Sequence, residues 1–313
     1  MPPKILVIVG PTASGKTRLA VELAHEWNGE VVSADSMQVY RRMDIGTAKP
    51  TAEEMDGIPH HMIDVADPGE DFSAARYVEM ASACVDGILA RGRLPIVAGG
   101  TGLYIDSLLS GRTFAHFDPD SALRAQLEER VRREGGQALL DELARADPDT
   151  AARLHPNDEK RIVRALEVYL STGKTITQHN RETLALPPRY DALTITLAFQ
   201  RREDMWARID HRVDEMMERG LAQEVRSLLD SGVPEKCTAM QAIGYKEMAA
   251  ALRGDGDVDR AAREIQLRSR QYAKRQLTWF RRNGAARWIT WDSEPNFAQA
   301  LQVSTGYLED FGI

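Results

Sequence analysis

Short apolar segments recur along the 313-residue chain at the lengths typical of buried β-strands. Helical patterns at 18–27 and 73–91 separate the first three segments, and in the second helix apolar residues recur every three or four positions. The predicted strands are 5–9, 30–33, 94–98 and 193–199, with 287–291 as a candidate edge strand. This β-α-β alternation predicts an α/β fold, in which helices cover both faces of a parallel sheet.

The pattern changes between residues 118 and 188, where helical periodicity is nearly continuous and no strand candidate occurs. Asp118-Pro119-Asp120 is typical of a helix start, and Gly173 is expected to end a helix over 161–172. Pro187-Pro188 marks the return to the sheet. This block is therefore expected to be an inserted all-helical subdomain.

Three further helices are expected after the fourth strand, at 203–219, 221–231 and about 257–282. The sequence thus predicts a first part of the α/β core over 1–117, the inserted subdomain over 118–188, and completion of the core over 189–313, including a basic helical part.

The composition is that of an ordinary globular protein, with 43% hydrophobic and 28% charged residues. Cys84 and Cys237 are the only cysteines and have no metal-ligand spacing, so neither a disulfide scaffold nor a zinc site is supported. No stretch approaches the roughly 20 apolar residues of a membrane span. We therefore expect a cytoplasmic protein, a monomer, with no membrane partner.

The net charge of −7 hides a strong asymmetry along the chain. Residues 1–120 contain 10 Lys or Arg against 17 Asp or Glu, whereas residues 260–287 contain nine Lys or Arg against Glu264 alone. A solvated helix face would account for such a run of charge. A nucleic-acid backbone is the alternative, because phosphates are engaged by local clusters of basic residues.

Residues 10–17 read G-P-T-A-S-G-K-T, a complete phosphate-binding loop (P-loop) between the first strand and the first helix. Backbone N–H groups and the helix dipole are expected to bind a phosphate or diphosphate there, with Lys16 adding charge and Thr17 a hydroxyl for Mg²⁺. The motif's position disfavours a merely connecting turn. The predicted binding residues are Gly10, Thr12, Ala13, Ser14, Gly15, Lys16 and Thr17.

Two polar residues follow the next strands at the same edge of the predicted sheet. Asp35 is expected to be a Mg²⁺ ligand, a general base, or a cap of the following turn. Thr101 follows the paired Gly99 and Gly100, which allow a ligand to approach the backbone closely. An ATPase or GTPase would usually show a second strand-end carboxylate, and none occurs here.

These segments resemble the tRNA dimethylallyltransferase family, also called the tRNA isopentenyltransferases. The resemblance covers nearly the whole chain, in order, and several of its motifs have no general physical role that would make them recur by accident. The matching segments are G-P-T-A-S-G-K-T at 10–17, A-D-S-M-Q-V-Y at 34–40, M-D-I-G-T-A-K-P at 43–50, G-G-T-G-L-Y at 99–104, H-P-N-D at 155–158, R-A-L-E-V at 164–168, A-I-G-Y-K-E at 242–247 and A-K-R-Q-L-T-W-F-R at 273–281.

The resemblance implies that the loop holds the diphosphate of dimethylallyl diphosphate with Mg²⁺, and that the prenyl group passes to the exocyclic amine of an adenosine beside the tRNA anticodon. It implies that Asp35 is the general base, that Thr101 contacts the substrate near the reacting atoms, and that Arg212 binds diphosphate. Arg208, one turn earlier on the same helix face, is a candidate for sharing the task of Arg212.

The adenosine must leave the anticodon loop to reach a buried diphosphate, so we expect a flipped base. Tyr272, Trp279 and Phe280 lie among the basic residues, a mixture suited to phosphate contact and base stacking. The residues that the resemblance assigns to the tRNA anticodon stem-loop are Asp35, Ser36, Met37, Gln38, Thr101, Lys160, Arg161, Arg164, Gln241, Ala242, Ile243, Gly244, Tyr245, Lys246, Lys274, Arg275, Gln276, Thr278, Trp279 and Arg281.

Two other functions remain open on the residues alone. A small-molecule or nucleotide kinase would explain the P-loop and Asp35, but not the basic segment. A nucleic-acid-binding NTPase would explain the basic segment, but it lacks the second strand-end carboxylate. A metal site at His60-His61 and Asp64 is disfavoured, because adjacent histidines rarely converge on one ion.

Overall fold

The computed structural model of the chain describes residues 2–111, 121–184 and 187–313. The chain divides into two compact units, one formed by Met1–Leu109 with Arg189–Ile313 and the other by Ser110–Pro188. The sequence placed the first of these boundaries eight residues later, at residue 118. The predicted helix start at Asp118-Pro119-Asp120 lies outside the described residues.

The first unit is built on a six-stranded sheet in the order β3-β2-β4-β1-β5-β6, and every pairing in it is parallel. Its strands are β1 Lys4–Val9, β2 Gly29–Ser33, β3 His60–His61, β4 Leu94–Gly99, β5 Asp191–Phe199 and β6 Arg287–Trp291. The predicted α/β class is confirmed, and β6 forms an edge of the sheet. The two-residue β3 was missed because it is too short to show a pattern.

Helices flank the sheet and make up nearly all the remaining regular structure of the first unit. They are α1 Lys16–Glu26, α2 Ala52–Met55, α3 Ala74–Ala90 and α4 Gly102–Leu109 before the second unit, and α10 Arg202–Glu218, α11 Leu221–Asp230, α12 Tyr245–Arg253, α13 Val258–Phe280 and α14 Phe297–Phe311 after it. Sequence reasoning missed α2, α4, α12 and α14. In α14 the side chain of Asn296 caps the helix by accepting from the Gln299 N–H.

The sheet separates two apolar layers, because alternate residues of each strand point to opposite faces. Val7 and Val9 of β1 pack in a cluster with residues of α3, whereas Leu6 and Ile8 pack in a cluster with residues of α1. Both layers bury strand residues completely, so β1 reads as a continuous apolar run. The carboxyl ends of β1, β2 and β4 therefore meet at one edge of a rigid core.

The second unit contains only helices among its described residues. They are α5 Ser121–Glu134, α6 Gly136–Ala146, α7 Pro148–Ala151, α8 Glu159–Thr172 and α9 Ile176–Leu184. Leu139, Leu143 and Ile162 are fully buried in its own apolar cluster. Gly173 ends α8 in the left-handed conformation, as predicted. Across the described parts of both units, no helix is long and apolar enough to cross a membrane.

A buried carboxylate ties the amino-terminal part of the sheet to α3 and β3. Glu30 of β2 is 3% exposed and accepts hydrogen bonds from Arg91, Arg93 and His61 at 2.7 to 3.2 Å. Burial raises the pKa of Glu30, but the hydrogen bonds from Arg91 and His61 outweigh it and hold that pKa below its ordinary value. Glu30 therefore stabilises the fold mainly in its charged form.

Replacing Glu30 by Gln should lower the free energy of unfolding by about 1 to 3 kcal/mol at neutral pH, because it removes the buried charged acceptor of three side-chain donors. A depressed native pKa gives stability that is present above the unfolded-state pKa and is lost as pH falls through the native one. Urea unfolding should therefore show the difference shrinking below about pH 4. Glu79→Gln, at an exposed position of α3, is the control. An equal loss of unfolding free energy at neutral pH and below about pH 4 would contradict this account.

Candidate active site

A cavity of about 580 Å³ opens at the carboxyl ends of β1, β2 and β4. Its walls come from the P-loop, the segment 35–38, Gly99 and Gly100, and from α10 and α13. Open α/β sheets place their ligands at this edge. The fold thus brings the predicted Lys16, Asp35 and Arg212 to one cavity, although they lie far apart in the sequence.

The P-loop backbone is held by donors from three directions. The Lys16 Nζ donates to the Pro11 carbonyl at 2.7 Å, and the Arg208 Nε donates to the Ala13 carbonyl at 3.3 Å. The buried Trp291 of β6 donates its indole N–H to the Ser14 carbonyl at 2.9 Å. Because a trans peptide points its N–H opposite to its C=O, this last bond turns the Gly15 N–H away from Trp291.

Gly15 is required at the start of α1 for two reasons. Its φ is 86°, in the left-handed region, and a Cβ there would lie 2.6 Å from the Phe297 ring. Phe297 packs in turn against Trp291, with ring centroids 5.6 Å apart. Sequence reasoning missed this aromatic pair, because nothing in the spacing of 291 and 297 indicates contact with residues 14 and 15.

Two cationic side chains converge on the loop. Burial, and then the charge of Arg212, lower the pKa of Lys16 to about 7, although Asp35 acts in the opposite direction. Arg212 donates to the Thr12 Oγ1 at 3.3 Å, and burial lowers its pKa as well. Within the described ranges, neither cation forms an ion pair with a carboxylate. An anionic ligand between them would relieve their repulsion.

Arg208 lies beside Lys16 and Arg212, but its guanidinium already has two acceptors. Besides the Ala13 carbonyl, its guanidinium contacts the Glu294 carboxylate at 3.2 Å. It lines the cavity one helical turn before Arg212, so both arginines of this face of α10 reach the loop. Arg212 is the cation available to a ligand, and Arg208 supports the loop backbone.

Asp35 caps a turn and also faces the cavity. Its Oδ1 accepts from the Met37 N–H at 2.9 Å and from the Gln38 N–H at 3.4 Å, which is the capping role considered from the sequence. Within 2–111, 121–184 and 187–313, no group donates a hydrogen bond to the Oδ2 atom. Capping therefore orients the carboxylate and leaves one oxygen for a substrate.

Thr101 acts on this segment from the neighbouring strand end. Its Oγ1 accepts from the Ser36 N–H at 3.0 Å, so the hydroxyl fixes the backbone beside Asp35. It does not itself line the cavity, whereas Ser36, Met37 and Gln38 do.

Tyr272 and Gln276 of α13 also belong to the cavity. Burial and the charge of Asp35 raise the pKa of Tyr272 to about 12, opposed by hydrogen bonds from Thr101 and Gln276. Gln276 accepts from the Thr12 N–H at 3.0 Å and donates to the Gly100 carbonyl at 2.9 Å. The spacing of Ser269, Tyr272 and Gln276 was a usable signal, since residues three and four apart share a helix face.

Apart from Asp35, Ser36, Met37, Gln38 and Thr101, described above, the residues assigned to tRNA fall into three groups. Gln276, Ala242 and Tyr245 are buried, at 5%, 7% and 0% exposure, so their side chains do not face a surface ligand in this conformation. Gly244 is buried and Ile243 half-buried, whereas Trp279 packs on Gly102 and donates to Asp106. The exposed residues are Lys160, Arg161, Arg164, Gln241, Lys246, Lys274, Arg275, Thr278 and Arg281.

Ion pairs reduce the free charge of the basic segment. Arg260 pairs with Asp255, Arg268 with Glu264 and Arg270 with Asp210. In the second unit, Arg164 contacts the buried Glu167 at 3.0 Å. Considering only the described residues, the basic side chains of 260–287 without a carboxylate partner are Arg263, Lys274, Arg275, Arg281, Arg282 and Arg287. Six basic side chains of the segment therefore remain available to a phosphate backbone.

The family model described as IPP transferase matches residues 38–283. A tRNA dimethylallyltransferase from Acetivibrio thermocellus is 46% identical over 309 residues, covering 99% of this chain and 98% of that protein.

Solved structures show the same relationship. The full-length tRNA isopentenylpyrophosphate transferase from Bacillus halodurans is 43% identical, with a TM-score of 0.72, and the match covers 98% of this chain and 97% of that one. A eukaryotic dimethylallyltransferase acting on tRNA is 30% identical, with a TM-score of 0.84, and the match covers 98% of this chain and 80% of that one.

Binding of an alkyl diphosphate should be linked to proton uptake by Lys16. In the protein without ligand, burial lowers the pKa of Lys16 to about 7. A bound anion favours the charged form of Lys16 and raises that pKa. Affinity should therefore be highest below about pH 7 and fall as pH rises towards the pKa of the complex. Calorimetry near pH 8.5, in buffers of different ionisation enthalpy, should show uptake approaching one proton per ligand. Lys16→Arg, which stays charged, should show almost none, and equal uptake by both proteins would contradict the assignment.

Proposed function

We infer the chemistry of this site from the premise that the chain belongs to the IPP transferase family, the tRNA dimethylallyltransferases. The enzyme transfers a dimethylallyl group from dimethylallyl diphosphate to the exocyclic amine of an adenosine adjacent to the anticodon in tRNA, and releases diphosphate. The observation that best supports the residue roles proposed below is that Lys16 and Arg212 share a cavity with Asp35.

We propose that the P-loop binds the diphosphate leaving group. The Gly15 N–H, the start of α1, Lys16 and Arg212 supply positive potential where negative charge grows as the C–O bond breaks. Such preorganised charge acts more strongly in a partly buried site than in free solution. The predicted Thr12, Ala13, Ser14, Gly15, Lys16 and Thr17 line this part of the cavity, whereas the predicted Gly10 is buried and does not line it.

We propose Mg²⁺ as the metal that assists the leaving group. Thr17 lines the cavity and can supply a hydroxyl ligand. The described residues hold no group of three His, Cys, Asp or Glu around a metal position, but Mg²⁺ needs only one or two protein ligands when phosphate oxygens and waters complete its shell. The residues present therefore fit a substrate-bound Mg²⁺, which would neutralise charge on the diphosphate.

We propose that Asp35 accepts the amine proton. The amine nitrogen forms a bond to C1 of the dimethylallyl group, the C1–O bond breaks with its electrons passing to diphosphate, and the proton leaves the nitrogen for the Asp35 carboxylate. Met37 and Gln38 hold Oδ1, so Oδ2 is the expected proton acceptor. Thr101 contributes by holding the Ser36 backbone beside Asp35.

The tRNA is proposed to bind through exposed basic residues and to deliver a flipped adenosine to Asp35. Lys274, Arg275 and Arg281 are exposed on or directly after α13, and the Arg275 guanidinium lies 5.5 Å from the centre of the cavity-lining Tyr272 ring. Lys160 and Arg161 of the second unit are further candidate phosphate contacts. We also propose that the protein acts as a monomer in the cytoplasm.

The alternative function, that of a small-molecule or nucleotide kinase, is not favoured. The relatives that match over nearly the whole chain are named as tRNA dimethylallyltransferases. Incubation with labelled dimethylallyl diphosphate, Mg²⁺ and unmodified tRNA, with ATP offered in parallel, tests the choice. Label should enter tRNA, and ATP-derived products without labelled tRNA would overturn the proposed function.

Asp35→Asn should reduce transfer by about 10²- to 10⁴-fold, because the amide cannot accept the amine proton. Its oxygen can still accept from Met37 and Gln38, so tRNA affinity should stay within about tenfold of wild type. Asp35→Ala should lose transfer equally and disturb the turn more. Single-turnover rates and tRNA binding measured on the same proteins test this. A much larger loss of tRNA binding by Asp35→Asn would make Asp35 mainly a recognition residue.

Lys274→Ala should weaken tRNA binding and reduce the slope of log K against log salt by about one, because one phosphate contact is lost. Arg260→Ala is a matched control on the same helix, since Asp255 already neutralises Arg260. The control should keep the wild-type slope. An unchanged slope for Lys274→Ala would place Lys274 away from the phosphates.

A further inference from the structure

We propose that Glu224 is a positioning residue for the acceptor base: through the loop 44–48 it fixes the amide of Gln38 so that this amide offers only an acceptor to the adenosine amine. This inference rests on the proposed function and deepens it, since it concerns how the base is selected. Glu224 belongs to α11 and does not itself line the cavity.

The Glu224 carboxylate binds three consecutive backbone N–H groups. Its Oε2 accepts from Asp44 at 2.9 Å and from Ile45 at 2.8 Å, and its Oε1 accepts from Gly46 at 3.1 Å. Successive N–H groups that converge in this way form an anion-binding concavity. A carboxylate that accepts several such bonds fixes the loop more firmly than neutral acceptors, because charge-assisted bonds are about twice as strong.

Tyr245 fixes the carboxylate from the other side. This tyrosine is fully buried, and its hydroxyl donates to the Glu224 Oε1 at 2.5 Å. Its ring also lies against Gly46, where an added Cβ would approach it to 2.5 Å. Tyr245, in the motif A-I-G-Y-K-E, therefore supports this part of the cavity wall without lining the cavity itself.

A second anchor holds the far end of the same loop. The buried Lys49 donates to the Tyr40 carbonyl at 2.9 Å and pairs with Asp44 and Asp64. The backbone between Asp44 and Lys49 is thus tied at both ends. Gly46, Thr47 and Ala48 line the cavity between these anchors, so the loop is a fixed part of its wall.

The loop determines the orientation of the Gln38 amide. The Gln38 Nε2 donates to the Thr47 carbonyl at 3.3 Å and to the Ala48 carbonyl at 3.2 Å, and its Oε1 accepts from the Ser33 Oγ at 3.1 Å. The reversed amide would set its oxygen against two carbonyl oxygens. Both amide hydrogens and one lone pair are therefore occupied, which leaves one lone pair on Oε1.

An acceptor at this position suits adenine. The adenine amine carries two hydrogens: Asp35 takes one during transfer, and Gln38 can accept the hydrogen that the product keeps. An oxo group, as in hypoxanthine, would set an oxygen against the Gln38 oxygen and leave both unsatisfied. A site built to bind a donor rejects an analogue without it, because its buried polar groups are left unpaired.

The test compares anticodon stem-loop RNAs that carry adenosine or inosine at the acceptor position, by equilibrium binding without the prenyl donor. Wild type should favour adenosine by about tenfold or more, the effect of one unsatisfied buried group. Glu224→Gln should lower that ratio to within about threefold, because an amide cannot accept all four hydrogen bonds and the loop loosens. Its KM for dimethylallyl diphosphate should remain near wild type, since the P-loop subsite is untouched.

Two further variants keep the test decisive. Tyr245→Phe removes one donor and keeps the ring on Gly46, so it should give an intermediate ratio even if Glu224→Gln folds poorly. Glu218→Gln, at an exposed position at the end of α10, is the matched control and should behave as wild type.

A wild-type adenosine preference that both Glu224→Gln and Tyr245→Phe retain, with only a lower melting temperature, would reduce Glu224 to a structural role and overturn the inference. Failure of wild type to transfer the prenyl group to any tRNA would instead overturn the proposed function. The two failures are thus distinguishable.

Discussion

The candidate active site depends on two half-buried cations that repel each other. Lys16 and Arg212 share a cavity in which burial lowers the pKa of both, and each hydrogen bonds only neutral oxygens within the described ranges. The rigid sheet and α10 must hold them against this repulsion. A bound diphosphate would neutralise this charge. The repulsion therefore makes the free protein less stable, and part of that lost stability is recovered as affinity for the diphosphate. The remaining contacts around the P-loop preserve this arrangement.

Much of the core could be predicted because its signals are local. Apolar runs marked five of the six strands, and the P-loop sequence fixed the position of the anion site through one strand, one turn and one helix. Asp35 and Thr101 could be expected at one edge of the sheet because the carboxyl ends of parallel strands meet there. Gly173 was found because a left-handed residue ends many helices.

The missed features depend on contacts between distant residues. Nothing near Trp291 or Phe297 indicates that they hold Ser14 and Gly15, and no local pattern tells an exposed Lys274 from a buried Gln276 on one helix. The segment 241–246 was assigned to the nucleic acid, but Tyr245 faces Glu224 inside the protein. A motif match can therefore locate a site while leaving open which of its residues touch the ligand and which support the wall.

The hydrogen bond between Trp291 and Ser14 also bears on the order of events during synthesis. It joins residues 277 positions apart, and the aromatic pair that contacts the loop belongs to β6 and α14. A nascent chain would carry the loop sequence long before the residues that orient it. Competence to bind the prenyl donor would then arise only after residues 287–297 have been synthesised and β6 has joined the sheet.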